Sequence, residues 1–181
     1  MNIVIAKESD LENFFAYLRK QASGNGSDGR PFFQPVSRKE LSIDTTVRDK
    51  FLIGLTVKKG ELGWRKLWLA KNEAGNIVGH IDIRLHTERN SNHRVLLGMG
   101  VDIHHRRMGV GEELIKFILK YCEAEETIDW IDLSVLAGND PAICLYKKVG
   151  FSMIGEYQDK FRIDGESISE IVMTMFVKTP A

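Results

Sequence analysis

The spacing of hydrophobic positions changes near residue 60, from a period of about 3.6 to a period of 2. Before that point, residues 2–6 predict a short strand. Leu11, Phe14, Phe15 and Leu18 then predict a helix capped by Ser9 and ending near Ala22. Residues 23–38 hold three Gly and two Pro with little periodicity, which predicts a loop. The adjacent Phe32 and Phe33 must either anchor that loop in the core or line a site. Val47, Phe51, Leu52 and Leu55 predict a second helix over 45–58, stopped by Gly60. Beyond it, residues 66–71 and 77–86 predict strands around the turn NEAGN, with Ile77, Gly79, Ile81, Ile83 and Leu85 on one face. Residues 94–103 repeat the alternation, and their other face carries Gly98, Gly100 and Asp102, where the missing side chains permit close approach of a ligand or another backbone.

The helical stripe of 110–122 stands between this strand and the next, WIDLSV, a succession that predicts parallel pairing through a crossover. Asn139, Asp140 and Pro141 predict a helix start, Ala142 to Val149 the helix and Gly150 its stop. Two final strands, about 151–157 and 168–177, are joined through the RIDG turn, and no internal repeat is visible.

With 181 residues, 43% of them hydrophobic, the chain suits one domain, 1–181, with a substantial core. Its 25 basic residues match its 25 acidic ones, so no global field draws it to nucleic acid or to an acidic membrane. Near-zero charge also permits self-association, so a homodimer is allowed. No apolar run approaches the roughly 20 residues needed to cross a bilayer, and residues 1–15 do not read as a signal peptide, which makes the cytoplasm the expected location. Cys122 and Cys144 both fall in apolar helical patterns and read as buried core thiols, and five dispersed histidines define no metal site.

The chemistry concentrates where a strand runs into a helix. In VDIHHRRMGVGEELIKFILKYC, residues 101–122, a helix amino end offers unpaired N–H groups, Gly109 and Gly111 let a phosphate approach, and Arg106 and Arg107 can add charged donors. The spacing is neither a dinucleotide fingerprint nor a P-loop. Arg106-Arg107-Met108-Gly109-Val110-Gly111 resembles the Arg/Gln-x-x-Gly-x-Gly/Ala pyrophosphate motif of the GCN5-related N-acetyltransferase superfamily. LSVLAGNDPAICLYKKVGF resembles its later cofactor segment, Asn-x-x-Ala-x-x-Leu-Tyr followed by Gly-Phe. The likeness runs over residues 1–177 and is loose over 23–60.

That resemblance implies an α/β fold with a mixed, centrally splayed sheet of about six or seven strands flanked by helices. It implies acetyl-CoA, or another acyl-CoA, as cosubstrate in an opening between the strands ending near 103 and 135. Residues 106–111 then form the pyrophosphate loop, Gly100 and Val101 hold the pantetheine arm with their backbone, Asn139 contacts that arm, and Tyr146 lies near the thioester sulfur. Asn139 is equally explained as a helix cap and Tyr146 as core packing. The implied activity is acetyl transfer to a primary amine of a small molecule or a protein N-terminus by direct attack, without metal. An acyl-CoA-binding regulatory domain that lacks turnover is the alternative. His80, Asp82 and His86 alternate with apolar residues on one strand and are the candidate general bases, with Glu88 behind them. The 23–60 region and the late segment QDKFRIDGES are the expected walls of the acceptor site.

Overall fold

The computed structural model describes residues 1–27, 29–39 and 43–178. Residues 28 and 40–42 of the predicted acceptor region, and 179–181 of the predicted domain, lie outside them. One seven-stranded sheet organises the chain. Its strands are β1 (Asn2–Ile5), β2 (Arg65–Lys71), β3 (Ile77–Leu85), β4 (Arg94–Val101), β5 (Trp130–Leu136), β6 (Ser152–Ile163) and β7 (Glu166–Phe176), in the spatial order β1-β2-β3-β4-β5-β7-β6. Every neighbouring pair is antiparallel except β4 and β5, which are joined through a helical crossover, α3 (Val110–Ala124). The splayed mixed sheet anticipated from the sequence is the one observed.

Alternation along the strands sends residues to two cores. Ile81, Ile83, Val95, Leu97, Ile131 and Leu133 pack against Leu114, Ile115 and Ile118 of α3 and against Ile143 and Tyr146 of α4 (Asp140–Lys148). On the other face, Leu67 and Leu69 meet Phe14, Phe15 and Leu18 of α1 (Leu11–Ala22) and Phe51 of α2 (Thr45–Thr56). Burying an aromatic or branched side chain contributes about 1.5–3 kcal/mol, so these two layers supply most of what holds the sheet between its helices.

Local chemistry explains the ends. The Asp44 side chain accepts from the Thr46 amide and starts α2, which closes at Val57, before Gly60. Ser9 is not a cap: a 3-10 turn, Glu8–Asp10, precedes α1, drawn together by the Lys7 amide donating to the Asp10 carboxylate. The last two strands are longer than their alternation suggests, because irregularities at Met153/Gly155 and Tyr157/Phe161 break the period. Residues 158–167 are therefore strand and hairpin tip. Cys122 is buried, and that burial pushes its thiol up to about 12, whereas Cys144 is exposed on α4 beside the buried Ile143. The expectation of two buried thiols fails at Cys144 because the apolar stripe of α4 runs through Ile143 and Tyr146.

Candidate active site

Strand β4 changes character along its length. It pairs with β5 only through Arg94↔Trp130, Val95↔Ile131 and Leu96↔Asp132, and beyond Leu96 the two strands diverge. The opposite edge of β4 stays bonded to β3, with Gly98 across from Asp82, Gly100 from His80 and Val101 from Gly79. The Asp102 amide donates to the Val78 carbonyl, so by the alternation of an antiparallel ladder the N–H and C=O groups of Met99 and Val101 point the other way, into the gap. The Val101 carbonyl there accepts from Arg106 Nε at 3.2 Å.

The gap ends at the loop before α3. Gly109 begins that helix at φ 85°, a left-handed conformation suited to glycine, and no side chain caps the first turn. Arg107, at φ 63°, and Met108 are exposed beside it, while Val110 turns into the core. Gly111 has a packing reason: a Cβ there would lie 3.0 Å from Leu145 and 3.4 Å from Met99. Arg106 reaches back over the mouth, 3.4 Å from Gln21 Oε1 and 5.5 Å above the Phe33 ring. Asp102 is buried. It accepts from Lys20 Nζ, the His104 amide and His105 Nδ1, each at 3.0 Å. Burial alone would raise its carboxyl, and those hydrogen bonds outweigh it and hold it low.

Sequence comparison gives this geometry a family. The sequence model of the Acetyltransferase (GNAT) family matches residues 40–151, more than half of the chain. The chain belongs to that family. It is 30% identical over 99 residues to the L-amino acid N-acetyltransferase AaaT of Escherichia coli, an alignment covering 55% of this chain and 61% of AaaT. It is 32% identical over 77 residues to N-alpha-acetyltransferase 50 of Danio rerio, covering 42% of this chain and 46% of that protein. The chain thus spans roughly half to three fifths of these curated relatives. Among solved structures, yncA of Salmonella typhimurium with its cofactor acetyl-CoA superimposes with a TM-score of 0.78 at 15% identity, covering 100% of this chain and 96% of yncA, a likeness of fold.

In this GNAT chain the late motif sits on α4. Asn139 precedes the helix, and its backbone carbonyl, not its side chain, receives the amides of Ala142 and Ile143. Its amide side chain is therefore not used as a helix cap. Tyr146 is buried in the core with its ring 5.8 Å from Phe151, and burial raises its phenol above the ordinary range. No described residue hydrogen-bonds its hydroxyl, yet that oxygen is not sealed from solvent. It remains a free proton donor.

His80 and Asp82 share a face of β3 and His86 follows just past its end, and the three candidate bases do not share an environment. His80 is buried edge-on to Phe14 and Tyr17, with Nδ1 3.4 Å from the Tyr17 hydroxyl, and burial with the nearby Arg65 charge drives it down to about 3. It is a poor proton acceptor. Asp82 is buried as well, 2.9 Å from Arg65 and 3.3 Å from Arg84, and burial raises its carboxyl against the pull of both guanidiniums. These two side chains also fill the space above the glycines of β4: a Cβ at Gly100 would lie 2.7 Å from His80, and one at Gly98 would lie 3.0 Å from Asp82. The space directly above these two glycines is therefore taken by protein side chains. His86 alone is partly open, its Nε2 2.9 Å from Asp132 Oδ2.

Asp132 was invisible as a site residue in the sequence. It lies at the last rung joining β4 to β5 and accepts from Arg94 Nε at 2.8 Å, Arg94 NH2 at 2.5 Å and the Thr174 hydroxyl at 2.5 Å, besides meeting His86. Burial would raise it, and these donors hold it below the usual carboxylate range. The cluster draws on three sheet strands and the turn after β3, and no local spacing announces that union. Among the described residues no group of three or more His, Cys, Asp or Glu is placed to hold a metal.

Proposed function

We propose that this chain transfers an acetyl group from acetyl-CoA to a primary amine by direct attack of the amine on the thioester. The observation that carries the reading is the inner edge of β4 beyond Leu96, where backbone groups face a gap that ends at the uncapped start of α3. A molecule with an amide-bearing arm and a pyrophosphate fits both parts. The arm can take the strand bonds that β5 leaves unmade, and the phosphates can take the orphan N–H groups of the helix. Met99, Val101 and Asn139 would hold the arm, whereas Gly100, expected to share that role, spends its backbone groups on β3; Arg106, Arg107, Met108, Gly109, Val110 and Gly111 would hold the pyrophosphate. Bound there, acetyl-CoA supplies an activated thioester.

The remaining roles belong to side chains and strand amides. An N–H of Met99 or Val101 stabilises negative charge on the thioester oxygen. The new bond is amine nitrogen to acetyl carbon and the broken one is carbon to sulfur, with the amine proton passing to His86, directly or through water, and Tyr146 protonating the departing thiolate. Asp132 orients His86. The names of the two curated relatives, one acting on L-amino acids and one an N-alpha-acetyltransferase, favour a primary amine as acceptor.

The acceptor side is assigned to the 23–60 region together with the late hairpin. Phe32 packs on Leu136 and Ile163, and the Arg38 amide donates to Asp164 at 2.9 Å, so the loop is tied to the hairpin tip. We place the reaction in one domain in the cytoplasm, as monomer or homodimer. The test is thiol release from acetyl-CoA by the purified protein across pooled amino acids, polyamines and peptides with free N-termini. Release that depends on acceptor is expected. Saturable acetyl-CoA binding with no release from any pool favours the acyl-CoA-binding regulatory alternative.

A further inference from the structure

Where β3 and β4 meet β2 and β5, three guanidiniums, those of Arg65, Arg84 and Arg94, face two carboxylates, Asp82 and Asp132, while Glu170, further along the same face on β7, is matched by Lys160. Asp132 is taken up by Arg94, Thr174 and His86. Asp82 is bonded by Arg65 at 2.9 and 3.3 Å and shared with Arg84 at 3.3 Å. Glu88, mostly in solvent, approaches His86 Nδ1 at 3.7 Å. Arg84 is therefore the cation whose charge is least matched. It is also the most accessible of the three, with its side chain 35% exposed against 11% for Arg65 and 28% for Arg94.

Its position is specific. Arg84 NH1 would stand 3.2 Å from a Cβ at Gly98, so the guanidinium crosses from β3 and lies over β4 two residues beyond the last rung with β5. Of its five N–H donors, the described residues engage one, at NH1. A planar fork with donors free at the lip of an opening is suited to a carboxylate, which it can bind through two parallel hydrogen bonds.

We propose that Arg84 selects the acceptor by binding its carboxylate, and that the acceptor class is the free α-amino acid. This rests on the acetyl-transfer reading above. An amine one carbon from a carboxylate held on the exposed side of that guanidinium falls at the edge of β4, where the gap opens. His86 lies two residues further along the chain, just past the end of β3. A peptide N-terminus has an amide where the free amino acid has its carboxylate, and it leaves the Arg84 charge unmatched.

The experiment compares pools of free L-amino acids with pools of the corresponding carboxamides, by acetyl-CoA-dependent thiol release. The best free acid is expected to exceed its own amide in kcat/KM by about 30-fold or more. The Arg84→Gln variant is expected to collapse that ratio through a raised acceptor KM, and Arg84→Lys to restore part of it. Thermal melts confirm that both variants fold. Amides or peptides turned over as well as free acids, or a ratio that survives in Arg84→Gln, overturn the role of Arg84 while leaving acetyl transfer intact. Acetyl-CoA bound in calorimetry but released by no acid, amide or peptide overturns the transfer reading and this inference together.

Discussion

Strand β4 has two halves that behave differently. Over residues 94–96 its inner edge is zipped to β5 and cross-braced by Arg94, Asp132 and Thr174, while over 97–101 the same edge faces a gap. Apolar residues alternate through both halves, so hydrophobicity does not separate them. The closed half carries a charge pair that crosses the rungs. In the open half, Met99 and Val101 lean toward Gly111 and Leu145, where α3 and α4 pack together. A gap in a sheet costs unmade hydrogen bonds, and it persists here because flanking helices and a braced base hold the two strands apart.

The largest expected effect comes from the brace. Asp132→Asn leaves Arg94 without its charge partner and should cost about 3 kcal/mol in urea unfolding. It should also lower kcat/KM at least 100-fold through misplaced His86. The expected loss of stability with unchanged turnover would separate the brace from the chemistry. Next is the open half: Gly111→Val drives a side chain into Leu145 and should cost about 2 kcal/mol and weaken acetyl-CoA binding in calorimetry. The added Leu145→Ala substitution should return part of both. If it restores stability alone, Gly111 serves the phosphate loop as well as the packing.

Tyr146→Phe removes a hydroxyl with no protein partner, so stability should hold while kcat falls about tenfold, equivalent to about 1.4 kcal/mol. Unchanged kcat across pH would remove Tyr146 from proton donation. The smallest effect is electrostatic and lies behind the closed edge of β4. His80 is held near 3 in the fold against about 6.5 when exposed, so the unfolded chain binds the extra proton first as pH falls. Stability is therefore complete above pH 6.5 and lost below it, by about 1 kcal/mol between pH 7 and 5.5. His80→Leu should flatten that part of the thermal-melt profile.

Much of the fold was legible because its signals are local. The stripe of α3 and the alternation of β3 and β4 each lie within a dozen or so residues, and the Arg106–Gly111 and Asn139–Tyr146 motifs are contiguous. The family match bears out the membership those motifs suggested. What stayed hidden depends on partners distant in sequence. His80, Asp82 and His86 are equivalent by alternation, and only α1, Arg65 and Asp132 make the first neutral and buried, the second paired and the third partly open. Gly98 and Gly100 looked like space for a ligand and are filled by side chains of the neighbouring strand.

By itself, then, the sequence determined which segments become helix and strand, which faces turn inward, and where the glycine-bearing turn before α3 stands, since each follows from the steric and solvation preferences of neighbouring residues. The tertiary structure alone decided where β4 and β5 part, which carboxylate meets which guanidinium, and which histidine stays partly open. Those outcomes rest on strand register and on charges brought together across 17 to 46 positions of chain, and burial sets their strength only after the sheet has formed.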